Sequence, residues 1–244
     1  MTAIAVGSVR SGGATTLAMT LAGLLGNAVL VEADGDGGVL ALRYGLNREP
    51  GLVSLAASRQ APGDVILDHA QRLPGGLAVV VGPESPERAT QLLRSAGQRV
   101  AALLSGPSAA HVVVDLGRLS PSAPGTALAA GAPIALVVAR PRADELVAAA
   151  ERVAALGECA GLVLVGSGPY SPADVANQLG CRVVATVADD PRAARALADG
   201  GSARSLARSA LVRSVTTLVA SLLATEIPAR QEQGTRTDNA WARA

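Results

Sequence analysis

The segment 5–26, AVGSVRSGGATTLAMTLAGLLG, joins a short apolar run to a helical pattern through a glycine pair and a threonine pair. A strand that ends at such a turn aims backbone N–H groups at one point, and the helix dipole adds positive charge there. The usual phosphate-binding pattern is G-x-x-x-x-G-K-[ST]. Here Ser8 and Ala14 replace the first glycine and the lysine, whereas Gly13 and Thr15 keep the second glycine and the metal-binding hydroxyl. Taken alone, this half-motif fits a strand–turn–helix connection that binds no ligand as well as it fits a phosphate-binding loop.

Lysine is absent from all 244 residues, because the 21 basic residues are all arginine. The only cation in the loop is therefore Arg10. A guanidinium is planar and bulkier than an ammonium group and does not enter the same slot. An arginine that faces solvent or pairs with an acidic neighbour is the favoured alternative to one that replaces the lysine. The formal net charge of +1 predicts no basic field that would attract DNA.

The cysteines and histidines do not form a metal-ligand pattern. Cys159 and Cys181 are far apart, as are His69 and His111, and two cysteines give no disulfide framework. The N-terminus lacks the charged and apolar regions of a signal peptide. No uninterrupted apolar run reaches about 18 residues, the length that would suggest a membrane span. We therefore expect a cytoplasmic protein.

Seven short valine-rich runs alternate with helical patterns. The runs are continuously apolar, as is typical of strands buried on both faces. They cover residues 2–8, 28–33, 77–82, 111–117, 133–140, 161–166 and 182–187. The helical patterns cover residues 15–25, 36–43, 86–105, 143–156, 172–179, 191–198 and 205–224. This alternation predicts an α/β protein with a three-layer, doubly wound, mostly parallel sheet.

The C-terminal segment differs from the rest of the chain. Residues 225–244 are polar, lack periodicity and include proline and glycine. Such a composition is typical of a disordered tail, so we predict one domain over residues 1–224 followed by a tail. The tail contains Trp241, the only tryptophan, which is either a bystander or a docking point for a partner.

Later segments resemble the MinD/ParA family of deviant Walker A ATPases. Residues 27–57 are similar to that family's second strand and first switch, where Glu32 and Asp34 stand for its Asp-x-Asp pair. The run HVVVDLGRL, residues 111–119, resembles its Walker B strand, with Asp115 in the metal-side position. The resemblance implies that Asp34 orients water as a catalytic residue and that Asp115 serves a magnesium ion.

The rest of the chain follows the same order. Residues 134–156 resemble the family's next strand and helix, and residues 184–197 resemble the late strand and turn that flank the adenine base. The match covers about residues 3–224 and implies the P-loop NTPase fold of the MinD/ParA type. The family's asparagine that reads adenine has no counterpart, since the sequence has Gly-Ser-Gly at 166–168.

The resemblance also implies that two lysines are missing. The P-loop lysine is Ala14, and the signature lysine that reaches across a dimer is Val9. Phosphoryl transfer depends on electrostatic stabilisation, so their loss implies a pseudo-ATPase. The candidate cofactor-binding residues are Arg10, Ser11, Gly12, Gly13, Ala14, Thr15 and Thr16, and the candidate magnesium ligands are Thr15 and Asp115. The cofactor would be ATP or ADP with Mg²⁺, or none.

Catalytically degenerate members of this family occur among the positioning proteins of Tad/Flp-type pilus and secretion systems, the TadZ/CpaE group. The resemblance implies a scaffold that forms a homodimer or a heterodimer with a related ATPase, and that contacts a secretion or pilus ATPase. Membrane contact would be peripheral, at the inner face, and no specific DNA binding is expected. The alternative is a ParA/MinD-type partition or cell-division positioning ATPase, with weak or arginine-assisted use of ATP.

Overall fold

The computed structural model describes residues 2–10, 12–60, 65–106, 108–199 and 206–234, with side chains to residue 224. Its strands are β1 (Ala3–Ser8), β2 (Ala28–Glu32), β3 (Gln71–Arg72), β4 (Ala78–Val80), β5 (His111–Arg118), β6 (Ile134–Ala139), β7 (Ala160–Val165) and β8 (Val183–Val187). Its helices are α1 (Ala14–Leu24), α2 (Leu40–Tyr44), α3 (Leu52–Ala57), α4 (Val65–Asp68), α5 (Pro86–Ser105), α6 (Thr126–Gly131), α7 (Ala143–Leu156), α8 (Pro172–Leu179), α9 (Pro191–Ala198) and α10 (Ala210–Gly234).

The strands form one sheet in the order β3-β4-β2-β5-β1-β6-β7-β8. Every pairing is parallel except that of β3 with β4. Asp115 on β5 pairs in register with Val6 on β1 and with Glu32 on β2. The carboxyl ends of these three central strands therefore meet at one edge of the sheet, the place where open α/β sheets bind ligands.

Two apolar clusters cover the two faces of the sheet. One cluster packs α1, α2, α9 and α10 against one face, and the other packs α3 to α8 against the opposite face. Both consist mainly of valine, leucine and alanine, as the low aromatic content requires. The predicted doubly wound, mostly parallel α/β sheet is confirmed.

The last helix differs from its predicted boundary. It was expected over 205–224, but α10 runs from Ala210 to Gly234 and so includes ten residues of the predicted disordered tail. Ala, Glu, Gln and Arg are common there and favour helix, and extending an existing helix costs much less than nucleating one. Residues 235–244, including Trp241, lie outside the described residues. No helix in the described part of the chain is long and apolar enough to cross a membrane.

Candidate functional site

The turn after β1 is held closed by Ser8. This side chain is buried, and its hydroxyl donates to the carbonyl of Arg10 at 2.5 Å and lies 3.3 Å from the carbonyl of Gly117. The Gly12 N–H donates to the Arg10 carbonyl at 2.7 Å. Gly13 then begins α1 in the left-handed conformation, with φ of 88°, and no side chain caps the helix. The first N–H groups of α1 therefore face the loop without a side-chain partner, as phosphate binding requires.

The position of the P-loop lysine carries no charge. The side chain of Ala14 is only 4% exposed and belongs to the apolar cluster of α1. Arg10 points elsewhere, since its Nε lies 3.5 Å from Oδ2 of Asp144 at the start of α7. Val9, at the signature position, packs against the opposite apolar cluster. Ser11 lies outside the described residues. No cation of the described loop therefore occupies the slot of a phosphate-binding lysine.

The two candidate magnesium ligands lie together. The side chain of Thr15 interacts with the carboxyl of Asp115 and favours its ionised form, and Oδ1 of Asp115 accepts from the N–H of Gly117 at 3.0 Å. Asp115 is 1% exposed, and this burial raises its pKa to about 7. Magnesium in nucleotide sites takes one or two protein oxygens and completes its shell with water and phosphate. The residues present fit that chemistry, although the described residues contain no cluster of three or more acidic, histidine or cysteine ligands.

Asp34 lies at the same edge of the sheet, directly after β2. Its carboxylate accepts the N–H of Asp36 at 2.9 Å, and the nearby backbone of Arg118 also favours its ionised form. Burial is the main cause that raises its pKa above the ordinary value. The next acidic residue, Asp36, pairs with the Arg118 guanidinium at 3.6 Å. These bonds link the loop after β2 to the end of β5.

Glu32, the first member of the acidic pair, is engaged in holding the fold. Its Oε1 accepts the N–H groups of Val39 at 2.6 Å and Leu40 at 2.9 Å, and Oε2 accepts that of Gly82 at 3.0 Å. The carboxylate thereby caps α2 and fixes the loop that follows β4. Burial outweighs these bonds and raises the pKa of Glu32. With all three N–H groups directed at it, this carboxylate has little capacity left for a ligand.

A small cavity of about 110 Å³ opens beside the loop, where Gly12, Gly13 and Thr16 form one wall. Arg140 and Asp189 line the opposite side, with the Arg140 Nη2 3.5 Å from the Asp189 Oδ2. Sites that enclose a whole small ligand usually measure about 300–1,000 Å³. The sequence analysis did not select this pair. The usable signal was that both residues closely follow predicted strands and so lie at the ligand-binding edge.

A larger cavity of about 810 Å³ lies away from the loop, between the segment after β4 and the first half of α5. Arg48 crosses its rim and donates two hydrogen bonds to Glu84, at 2.9 and 3.1 Å. None of the described loop residues, 8–10 and 12–16, lines this cavity. Its size therefore does not bear on phosphate binding at the loop.

Comparison with known proteins finds likenesses in structure but not in sequence. The sequence matches no protein-family model and no curated protein. The cell division ATPase MinD of Pyrococcus furiosus is similar in structure with a TM-score of 0.73 and 17% identity, over 92% of this chain and 99% of that one. MinD of Pyrococcus horikoshii, complexed with Mg-ADP, is similar with a TM-score of 0.70 and 18% identity, over 91% of this chain and 96% of that one. The ParA family ATPase of Chlorobium tepidum is similar with a TM-score of 0.68 and 16% identity, over 90% of this chain and 97% of that one. These likenesses show the MinD/ParA-like P-loop fold.

Proposed function

We propose that this chain, which has the MinD/ParA-like P-loop fold, is a pseudo-ATPase that works as a positioning or scaffold factor. The observation that carries the proposal is the buried methyl group of Ala14 where a P-loop lysine would stand. The chain has no lysine elsewhere to replace it, and Arg10 is engaged with Asp144. A site without that cation lacks much of the electrostatic stabilisation on which phosphoryl transfer depends.

Nucleotide binding is the part of the family's chemistry that the remaining residues support. The N–H groups at Gly12, Gly13 and the start of α1 would receive phosphate oxygens, and Thr15 with Asp115 would hold Mg²⁺. A bound magnesium ion supplies charge that offsets the phosphates. Asp34 would face the reacting end of the nucleotide, where one oxygen of its carboxylate already accepts the N–H of Asp36 and the carboxyl group packs against Gly117. This arrangement favours binding over turnover.

The cellular role that we propose is that of the TadZ/CpaE group, in a Tad/Flp-type pilus or secretion system. The chain would act in the cytoplasm or peripherally at the inner face of the membrane. It would form a homodimer or a heterodimer with a related ATPase and contact a secretion or pilus ATPase. Structural likeness to a cell division ATPase and to a ParA family ATPase supports a positioning role in general.

The second candidate is a ParA/MinD-type partition or cell-division positioning ATPase assisted by arginine. The exposure of the Arg10–Asp144 pair favours it, because the two side chains are 60% and 55% exposed. Pairs as exposed as this contribute only about 0–1 kcal/mol. Arg10 can therefore leave Asp144 at low cost when a phosphate group is present.

Turnover and partner capture separate the two candidates. The purified chain is incubated with ATP and Mg²⁺, and phosphate release is followed beside the Asp34→Ala and Arg10→Gln variants. The pseudo-ATPase proposal predicts release at the rate of a protein-free control, together with co-purification of a secretion or pilus ATPase from the source cells. Turnover that both substitutions abolish would establish the arginine-assisted ATPase instead.

A further inference from the structure

The small cavity beside the loop at residues 8–16 has apolar side chains in its lining that suit a flat ring. Apolar side chains face it from four elements of the fold, namely Leu17 on α1, Val165 and Val187 at the ends of β7 and β8, and Leu211 on α10. All but Val165 are buried. At about 110 Å³ the cavity has room for one ring system but is too small for a whole nucleotide. The glycines of the loop line the same cavity, so phosphates attached to such a ring would lie at the loop.

Arg140 and Asp189 are the charged side chains available to a ligand at this cavity. The neighbouring carboxylate of Asp190 is already used, because it accepts the N–H groups of Ala193 at 3.0 Å and Ala210 at 3.1 Å. Arg140 and Asp189 instead form one pair at 3.5 Å, with each side chain nearly half exposed. Such a pair is worth little in itself, so both members are available to a ligand.

The local backbone fixes where these two side chains begin. The N–H of Arg140 donates to the buried carboxylate of Glu145 at 2.9 Å. Beside Asp189, the N–H of Ala188 donates to the hydroxyl of Ser214 at 3.0 Å. Both contacts tie the residue at a strand end to a helix of the domain. The pair is therefore presented to the cavity from ordered positions.

We propose that this cavity binds the base of a guanine nucleotide. The inference rests on the proposed nucleotide site at residues 8–16 and names the base that it selects. Arginine donates two hydrogen bonds to the O6 and N7 acceptors of guanine. An ionised carboxylate only accepts hydrogen bonds. Asp189 thereby matches the adjacent N1–H and N2–H groups on the Watson–Crick edge of guanine.

Adenine fits the same pair less well. Its Watson–Crick edge presents the N6 amino donor next to the N1 acceptor, so one oxygen of the Asp189 carboxylate would face a lone pair. Arg140 could donate to N7 of adenine. In place of the O6 acceptor of guanine, however, adenine has the N6 amino group, which is a donor like the arginine itself. A phosphate group is also disfavoured inside the cavity, because the charge of Arg140 is balanced by that of Asp189.

The test is a titration of the full chain with GTP, ATP and xanthosine triphosphate, each with Mg²⁺, by calorimetry. We expect GTP to bind at least about tenfold more tightly than ATP, the discrimination of one good bidentate contact. Asp189→Asn should weaken GTP about tenfold and strengthen xanthosine triphosphate, because an amide donates to the O2 that replaces the amino group of guanine. Arg140→Gln should weaken both GTP and xanthosine triphosphate.

Two exposed residues outside the cavity supply matched controls. Asp199→Asn and Arg142→Gln make the same chemical changes and should leave all three affinities unchanged, and thermal unfolding establishes that each variant is folded. Stronger binding of ATP than of GTP, or no binding of any of the three at about 1 mM, would overturn the guanine assignment. Either result leaves the pseudo-ATPase proposal standing. Rapid hydrolysis of bound GTP would overturn that proposal and leave the base assignment standing.

Discussion

The carboxyl group of Asp34 lies directly over Gly117, in the space that a side chain at Gly117 would occupy. Gly117 has a φ of 57°, and the backbone of the following residue, Arg118, lies close enough to Asp34 to favour its ionised form. The end of β5 therefore packs against the loop after β2 at a spot where only glycine fits. In this arrangement the two loops that flank the candidate phosphate site contact each other directly.

Gly117→Ala should destabilise the protein by more than its backbone conformation alone explains. A left-handed residue with a Cβ costs about 1–2 kcal/mol, and overlap with Asp34 should add about 1–3 kcal/mol. In an Asp34→Ala background the second contribution should vanish, so the two substitutions are not additive. Urea denaturation of the four proteins gives the coupling free energy.

Gly45 provides the control for that experiment. Its φ is 63°, close to that of Gly117, but nothing lies within 4 Å of the position of its Cβ. Gly45→Ala should therefore show the backbone cost alone. Equal costs for the two glycine substitutions would mean that Asp34 yields freely and that the two loops are not locked together.

The stability of the fold should depend on pH through Asp115. Its pKa is raised to about 7, from about 3.9 in an unfolded chain, so the native state binds the proton more tightly. The contribution of Asp115 to the free energy of unfolding is therefore fully present below about pH 4. It is lost as the pH rises through about 7, at up to about 1.4 kcal/mol per pH unit. Asp115→Asn should flatten this slope and be more stable than the wild type at pH 8. Urea denaturation across pH 4–8 measures both effects.

Asp115→Ala separates charge from hydrogen bonding in that prediction. Alanine also removes the charge, but it leaves the Thr15 hydroxyl and the Gly117 N–H without their partner. It should therefore be less stable than Asp115→Asn at every pH. If Asp115→Asn instead keeps the full slope, the pH dependence comes from another group. Burial raises the pKa of Glu32 and Asp34 in the same direction.

Most of the fold could be predicted because its strands are buried on both faces and its helices carry clear start signals. Ser171 and Pro172 start α8 at the predicted residue, and Asp190 with Pro191 does the same for α9. The short helix α3 was missed, since six residues are too few for a helical period. The antiparallel strand β3 has two residues and gives no alternation to detect.

The candidate site was predictable only in part. Thr15 and Asp115 could be brought together because the resemblance to the MinD/ParA family implies that both serve one magnesium ion, and the structure places their side chains in contact. The engagement of Arg10 with Asp144 depends on where α7 begins in space, and a one-dimensional pattern does not give that. The three N–H groups that donate to the Glu32 carboxylate belong to two separate segments of the chain. The sequence pattern therefore could not predict these hydrogen bonds either.

Glu32→Gln should cost about 1–3 kcal/mol of stability at neutral pH. A glutamine oxygen can replace Oε1 and keep the N–H groups of Val39 and Leu40, but its amino group then faces the N–H of Gly82. Two opposed donors leave one buried N–H unsatisfied, and that is the source of the cost. Glu32→Ala should cost more, since all three N–H groups lose their acceptor. Denaturant unfolding measures both changes.

Amide hydrogen exchange identifies the bonds responsible for the Glu32 effect. In Glu32→Gln the protection of Gly82 should fall before that of Val39 and Leu40, whereas in Glu32→Ala all three should fall together. Glu158→Ala, at an exposed carboxylate, should change stability by no more than about 0.5 kcal/mol. Unchanged protection of all three amides in Glu32→Ala would show that this carboxylate does not hold α2 and the loop after β4.

Ala14→Lys should raise the affinity for nucleoside triphosphates above that of the wild type without producing turnover. The new ammonium group lies at the start of α1, beside the N–H groups that face the loop, and a hydrogen bond to a charged group is worth about 1.5–3 kcal/mol. The affinity for both GTP and ATP should therefore rise by about tenfold or more, since their phosphates are the same. Hydrolysis should stay at background, because the signature position is still Val9 and the Asp34 carboxyl is still held by the N–H of Asp36 and packed over Gly117.

Ala14→Met is the matched control, since it adds a chain of nearly the same length without the charge. Both side chains must leave the apolar cluster in which the Ala14 methyl is buried, so both variants should lose similar stability in thermal unfolding. The difference in nucleotide affinity between them then reports the charge alone. If Ala14→Lys binds triphosphates no better than Ala14→Met, the loop is not shaped to receive phosphate, and the chain acts as a scaffold without nucleotide. If Ala14→Lys instead hydrolyses ATP rapidly, the missing lysine was the only barrier to catalysis and Asp34 is not locked.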